Sequence, residues 1–244
     1  MPSAALDAAL ADVETVFNGF ASPGETGCER CFRPEETACL RTPYRRVPDG
    51  LLARFLFKDP LHYDDHPAVL RRLLPQAARA MADGTLDGIG WGWHGLARVD
   101  WRAWPAQQAA AVEAFVHAWC QDVLLTPAPS YPAEAVFETC GSILCGMTAL
   151  LHRWPEGSTP DAHLAACARG WMEDLLVDRW PLTWWDPDDE AAAVTELRHW
   201  LSGPGAARLG ARGDRDLATR AGLLALPYDE RWAHPYWTSA SATN

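Results

Sequence analysis

The sequence predicts an all-α protein, an antiparallel array of about 8–9 helices arranged as a bundle or as a short HEAT-like α-solenoid. Apolar residues recur at positions i, i+3, i+4 and i+7 through most of the chain, and period-two runs typical of strands are absent. Four successive helical segments also begin near Pro105, Pro132, Pro160 and Pro187. This near-constant spacing is typical of antiparallel helices joined by short loops.

The 244 residues are expected to form a single helical domain, because 48% of them are apolar and can supply one sizeable core. Within that domain we expect the N-terminal helices and a cysteine pair over 1–60, and the main helical array over 61–244.

Four helices are predicted in the first third of the chain, over 3–18, Pro34 to about 42, 48–58 and 67–82. Asn18-Gly19 is a typical helix end, and Pro34 followed by two glutamates is a typical helix start. Pro75 lies inside the last of these helices and is expected to kink it.

The segment 87–101 is rich in glycine and tryptophan, and it predicts a loop in which indoles pack over backbone. A nucleotide-binding loop is disfavoured, since no strand precedes the glycines. Five further helices are predicted over 105–125, 132–152, 160–180, 187–202 and about 214–226.

The net charge of −11 argues against nucleic acid as a partner, because phosphate binding requires clustered basic residues. The densest basic group, at Arg41, Arg45 and Arg46, is interpreted as a solvated loop in preference to an anion site. No apolar run is long enough to span a membrane, and the acidic N-terminus does not have the pattern of a secretory signal. Seven cysteines, most of them in helical patterns, indicate reduced thiols and a cytoplasmic location.

The pair Cys28-x-x-Cys31 is the sharpest chemical signal in the sequence. Two thiolates at this spacing can bind one tetrahedral zinc ion, and His62 and His66 are the expected remaining ligands, with Cys39 as an alternative. A free dithiol and a redox pair are the other interpretations that the spacing leaves open.

The loop 62–66, which reads HYDDH, also allows a catalytic metal or a general base at Asp64. The interpretation that we favour for its acids is structural, with Asp65 capping the helix that follows and Pro67 in the first turn.

The stretch CERCFRPEE at 28–36, an acidic loop, the helix RRLLPQ at 71–76 and the start at Trp104-Pro105 resemble a group of uncharacterised bacterial proteins. Members of that group share an early CxxC and a helix with a Leu-Pro pair. The resemblance covers roughly 28–125, implies an all-α fold and implies no activity.

Two hypotheses of function follow from the sequence. The first is a non-enzymatic cytosolic helical protein that binds a protein partner, a basic one given the acidic charge, and that is stabilised by structural zinc. The second is a metal-dependent enzyme whose site lies between Cys28, Cys31 and the loop from His62 to His66.

Overall fold

A computed structural model describes residues 2–90, 93–182 and 187–240, and within those ranges it is helical with no strand. The predicted all-α helical array is therefore confirmed. Two compact units divide the chain, one over 1–145 and one over 146–244. The single domain expected from the sequence stays a prediction. Across the described ranges, we find no helix with the length and apolar character that a membrane crossing requires.

The first unit contains helices α1 to α6 and three short 3-10 turns. The helices are α1 (Ala4–Val16), α2 (Pro34–Arg41), α3 (Asp49–Leu56), α4 (His66–Ala82), α5 (Ala106–Leu125) and α6 (Ala133–Leu144). The 3-10 turns are Pro60–His62, Gly95–Arg98 and Trp101–Ala103. Helix α1 packs on α4 and α5, α5 packs on α6, and α2 and α3 both contact α4. Helix α4 is therefore the element on which the N-terminal helices assemble.

Capping and periodicity explain why these helices form where the sequence predicts them. The Ser3 side chain accepts a hydrogen bond from the Leu6 amide at the start of α1. The Asp65 carboxylate accepts one from the Ala68 amide at 3.0 Å, which confirms Asp65 as the cap of α4. Helix α4 continues through Pro75, although this residue cannot donate the usual hydrogen bond to the carbonyl four residues earlier.

The second unit contains helices α7 to α13. They are α7 (Thr148–His152), α8 (Ser158–Leu176), α9 (Pro187–Trp200), α10 (Ala206–Arg212), α11 (Arg215–Leu223), α12 (Tyr228–Trp232) and α13 (Tyr236–Ala240). One wide π turn, Leu201–Gly205, joins α9 to α10 and contains Pro204.

The helix predicted over 132–152 is wrong in its extent. Helix α6 ends at Leu144, and Cys145 adopts a left-handed backbone with a φ of +50°. Gly146 follows, and the chain becomes helical again only at Thr148. A left-handed residue ends a helix by turning its amide toward the last carbonyls, and the apolar period alone does not reveal such a residue.

A fully buried arginine, Arg231, joins α12 to the C-terminal end of α8 in the second unit. Arg231 donates from Nη1 to the carbonyls of Leu175 and Leu176, which belong to the last turn of α8. The same nitrogen lies 3.1 Å from Asp178 Oδ1, and Nη2 donates to the Leu226 carbonyl at 3.2 Å. The C-terminal carbonyls of a helix lack partners within the helix, so a buried cation is well placed there.

Candidate metal centre

The cysteine pair lies in a tight turn between α1 and α2. The amides of Cys31 and Phe32 both donate to the Cys28 carbonyl, at 2.8 and 2.9 Å, and they fold the four residues into one hydrogen-bonded turn. Gly27, just before the pair, has a φ of +68°, a conformation that glycine adopts without strain. This turn brings the two thiols to the same side of the chain.

His62 enters the site from the 3-10 turn that follows α3. Asp59 begins this turn, with its carboxylate accepting from the Leu61 amide at 2.9 Å. The His62 carbonyl then accepts a hydrogen bond from the Cys28 amide at 3.0 Å. This bond joins the cysteine turn directly to the histidine turn.

Cys28, Cys31 and His62 form one cluster that could hold a metal ion. Their ligand atoms all lie within 4.8 Å of one another, and the distance from Cys31 Sγ to His62 Nδ1 is 3.4 Å. In a tetrahedral zinc site with ordinary bond lengths, a sulfur and a nitrogen ligand are separated by roughly 3.6 Å. The arrangement therefore fits zinc with little movement of the side chains.

The Cys28 thiol is more acidic than an ordinary cysteine. Its pKa is lowered to about 7, chiefly by a hydrogen bond from His62, with further bonds from the Arg30 backbone amide and the Cys31 side chain. Both cysteines are half-buried and carry no disulfide. A thiolate is the form that binds metal, so a large fraction of Cys28 is ready to do so near neutral pH.

A buried carboxylate holds the two ligand-bearing loops together. Glu25 is only 1% exposed, and its Oε1 accepts from the amides of Gly27 at 2.9 Å and Asp64 at 3.1 Å. Its Oε2 accepts from the Asp65 amide at 3.1 Å. The sequence analysis missed Glu25, because one glutamate in a Gly- and Ser-rich loop gives no signal of burial.

The residues that follow two of the ligands, Phe32 and Tyr63, pack their aromatic rings together. The Phe32 ring stacks on Tyr63 with centroids 5.9 Å apart and packs on Phe55 at 4.8 Å. The Tyr63 hydroxyl donates to the Phe55 carbonyl at 2.8 Å, and burial raises its pKa. Arg54 covers the outer face of Phe32 and donates to the Cys31 carbonyl at 2.6 Å.

The structure does not bring His66 or Cys39 into the cluster. His66 is 6% exposed, lies at the first position of α4 and stacks on the Tyr63 ring with centroids 5.4 Å apart. Cys39 is buried in α2, where its thiol donates to the Glu36 carbonyl at 2.7 Å and burial raises its pKa. The helical positions of both residues face the protein interior, so the spacing that suggested them as ligands reflects packing.

Asp64 serves as a link between loops in this structure. Its Oδ2 accepts from the Thr26 amide at 2.8 Å and from the Thr26 hydroxyl at 2.7 Å. These bonds lower the pKa of the carboxyl group. Both lone-pair directions of that oxygen are therefore directed at protein donors.

Two further histidines, His66 and His94, are buried in the first unit. The Nε2 atoms of His66 and His94 are buried and lack a hydrogen-bond partner within the described chain. Burial lowers the pKa of each to about 4, and for His66 the nearby Arg98 lowers it further, against the opposing effect of Asp59 and Asp65. Both imidazoles are therefore neutral at physiological pH.

Comparison of the chain with protein-family models, with curated proteins and with solved structures finds no match. The resemblance to uncharacterised bacterial proteins therefore stays a prediction, and the functional conclusions depend on the site itself.

Proposed function

We propose that this protein binds one zinc ion through Cys28, Cys31 and His62, and that the ion stabilises the junction between the 25–32 and 59–65 loops. The observation that carries the proposal is that two thiols and an imidazole lie close together. The two loops that carry them are already joined by the hydrogen bond from the Cys28 amide to the His62 carbonyl. Soft thiolates and imidazole favour zinc over hard cations, and this preference supports the choice of metal.

The wider role that we propose is that of a cytosolic, non-enzymatic helical protein that binds a protein partner. The seven cysteines form no disulfide, which is compatible with a reducing compartment. The net charge of −11 favours a basic partner through long-range attraction. In this role the metal keeps the N-terminal loops in a fixed conformation.

Elemental mass spectrometry of the purified, untagged protein tests the metal proposal. The expected result is one zinc per chain, lost in Cys28→Ser and in His62→Gln. Cys145→Ser is the matched control, since Cys145 is an exposed cysteine outside the cluster. Its zinc content should equal that of the unmodified protein.

Stability measurements distinguish an ion that stabilises the fold from one that binds without affecting stability. If the metal stabilises the loops, chelation should lower the melting temperature, and Cys28→Ser should produce the same decrease without further response to chelator. Protein that contains no zinc when prepared without chelator would refute the proposal and would leave a free dithiol.

The second candidate is a metal-dependent enzyme at the same cluster. The favouring observation is that the described residues supply three ligand side chains, whereas structural zinc sites use four and catalytic ones keep an open position. X-ray absorption spectroscopy of the zinc protein distinguishes the two. Water as the fourth ligand favours catalysis, and a fourth sulfur or imidazole ligand favours a structural site.

A further inference from the structure

A second site lies on the first unit, in a groove between the end of α1, the 44–46 loop and the middle of α4. Its volume is about 400 Å³, within the range of small-molecule pockets. Its lining includes Phe17 and Phe20 at the end of α1, Glu14 of α1, and three arginines, Arg45, Arg46 and Arg72. We refer to it as the arginine groove.

Arg72 is the feature that points to a ligand. Arg72 is 8% exposed, and its side chain donates to the backbone carbonyls of Thr42, at 3.2 Å, and Arg45. It forms no ion pair with any carboxylate of the described residues, and burial lowers its pKa. A buried cation without a counter-charge is costly, and an anion bound in the groove would supply that charge.

Each of the two carboxylates near the groove has one arginine partner, which for Asp49 is the groove residue Arg46 itself. Glu14 pairs with Arg79 at 2.7 Å, and Asp49 pairs with Arg46 at 3.0 Å. Arg45 is exposed and has no ion pair among the described residues. The groove is therefore positive on balance, in a chain whose net charge is −11.

Tyr44 gives the groove an aromatic rim. It is 76% exposed and has a φ of +62°, a strained conformation for a residue with a large side chain. Its hydroxyl lies so close to Gly19 that a Cβ atom there would be 2.6 Å away. Strained backbone positions cluster at functional sites, and the exposed ring of Tyr44 offers an apolar face to a ligand.

We propose that the arginine groove binds a small oxyanion, a phosphate or a carboxylate, carried by a planar apolar group. The oxyanion pairs with Arg45 and Arg72, and the planar group packs between Tyr44 and Phe20. A guanidinium group binds either oxyanion through paired hydrogen bonds, so both phosphate and carboxylate fit the groove. Experiment decides which of the two binds. This proposal is independent of the metal site.

Isothermal titration calorimetry with phenyl phosphate and with benzoate, at low ionic strength, tests the proposal. The expected result is one site per chain for at least one probe, and the tighter probe identifies the oxyanion. Arg45→Gln should weaken binding about tenfold, the effect of losing one charge-assisted contact. Arg215→Gln is the matched control, because this exposed arginine lies in the other unit and its loss changes the net charge equally.

Tyr44→Gly tests the rim separately, since it relieves the strained backbone and leaves the arginines in place. It should weaken binding of the aromatic probe and leave binding of inorganic phosphate unchanged. No heat of binding with either probe at millimolar concentration would overturn the proposal. Equal weakening by Arg45→Gln and Arg215→Gln would overturn it as well, because binding would then depend only on net charge.

Discussion

Replacing Glu25 by glutamine should loosen the candidate metal centre without touching a ligand. The two carboxylate oxygens accept three backbone hydrogen bonds, from Gly27, Asp64 and Asp65. In the variant, the side-chain amide oxygen can still accept hydrogen bonds from the Gly27 and Asp64 amides. The amide NH₂ group then faces the Asp65 N–H, and two donors oppose each other in a partly buried position.

The magnitude follows from these contacts. One partly buried N–H without an acceptor costs about 1–3 kcal/mol, and the other two bonds lose the strengthening that a charged acceptor gives. The total is about 2–4 kcal/mol for opening of the two loops. Native-state hydrogen exchange of Gly27 and Asp65 amides should therefore accelerate by a factor of about 30 or more.

The assay is amide exchange measured by NMR on metal-free protein, so that the metal does not mask the effect. Glu35→Gln is the control, because Glu35 is an exposed glutamate in the first turn of α2 and undergoes the same chemical change. If both variants exchange at the same rate, Glu25 does not hold the loops together and the reasoning is refuted.

Three further outcomes are expected. Arg231→Met should lower the free energy of unfolding by about 3–5 kcal/mol, because it strands buried carbonyls, and a loss below 1 kcal/mol in urea melts would contradict this. His66 and His94, whose folded pKa values of about 4 lie below the usual 6.5, bind protons first in the unfolded state. Stability should therefore fall as pH decreases from 6.5 to 4, by up to about 1.4 kcal/mol per pH unit for each histidine, and His66→Phe should make that slope shallower. Asp65→Ala should cost about 1 kcal/mol by removing the cap of α4, whereas Asp65→Asn should cost less, and equal melting temperatures would contradict the cap.

The helices were predictable because their determinants are local. Periodic apolar residues, the Ser3 and Asp65 caps and the prolines at helix starts all act within a few positions. The break at Cys145 was not predictable in the same way, since the apolar pattern of 132–152 continues across it. A single residue with positive φ ends the helix and leaves the pattern intact.

The candidate site was predictable only in part. The sequence predicted four ligands, Cys28, Cys31, His62 and His66, and the structure brings the first three together. His66 has equally suitable spacing, but its helical position turns it toward Tyr63. Glu25 and Arg72 could not be found, because their partners are backbone groups of segments far along the chain.

The buried carboxylate and the metal ligands depend on each other. Three half-exposed ligands bind an ion tightly only if little ordering is required when the ion arrives. Glu25 provides that order in advance, since it joins the loop before Cys28 to the loop after His62. The metal that we propose would in turn stabilise the conformation in which Glu25 keeps all three of its hydrogen bonds. If zinc binds as we propose, zinc binding and loop closure are linked equilibria, and zinc favours closure by the same factor by which closure favours zinc.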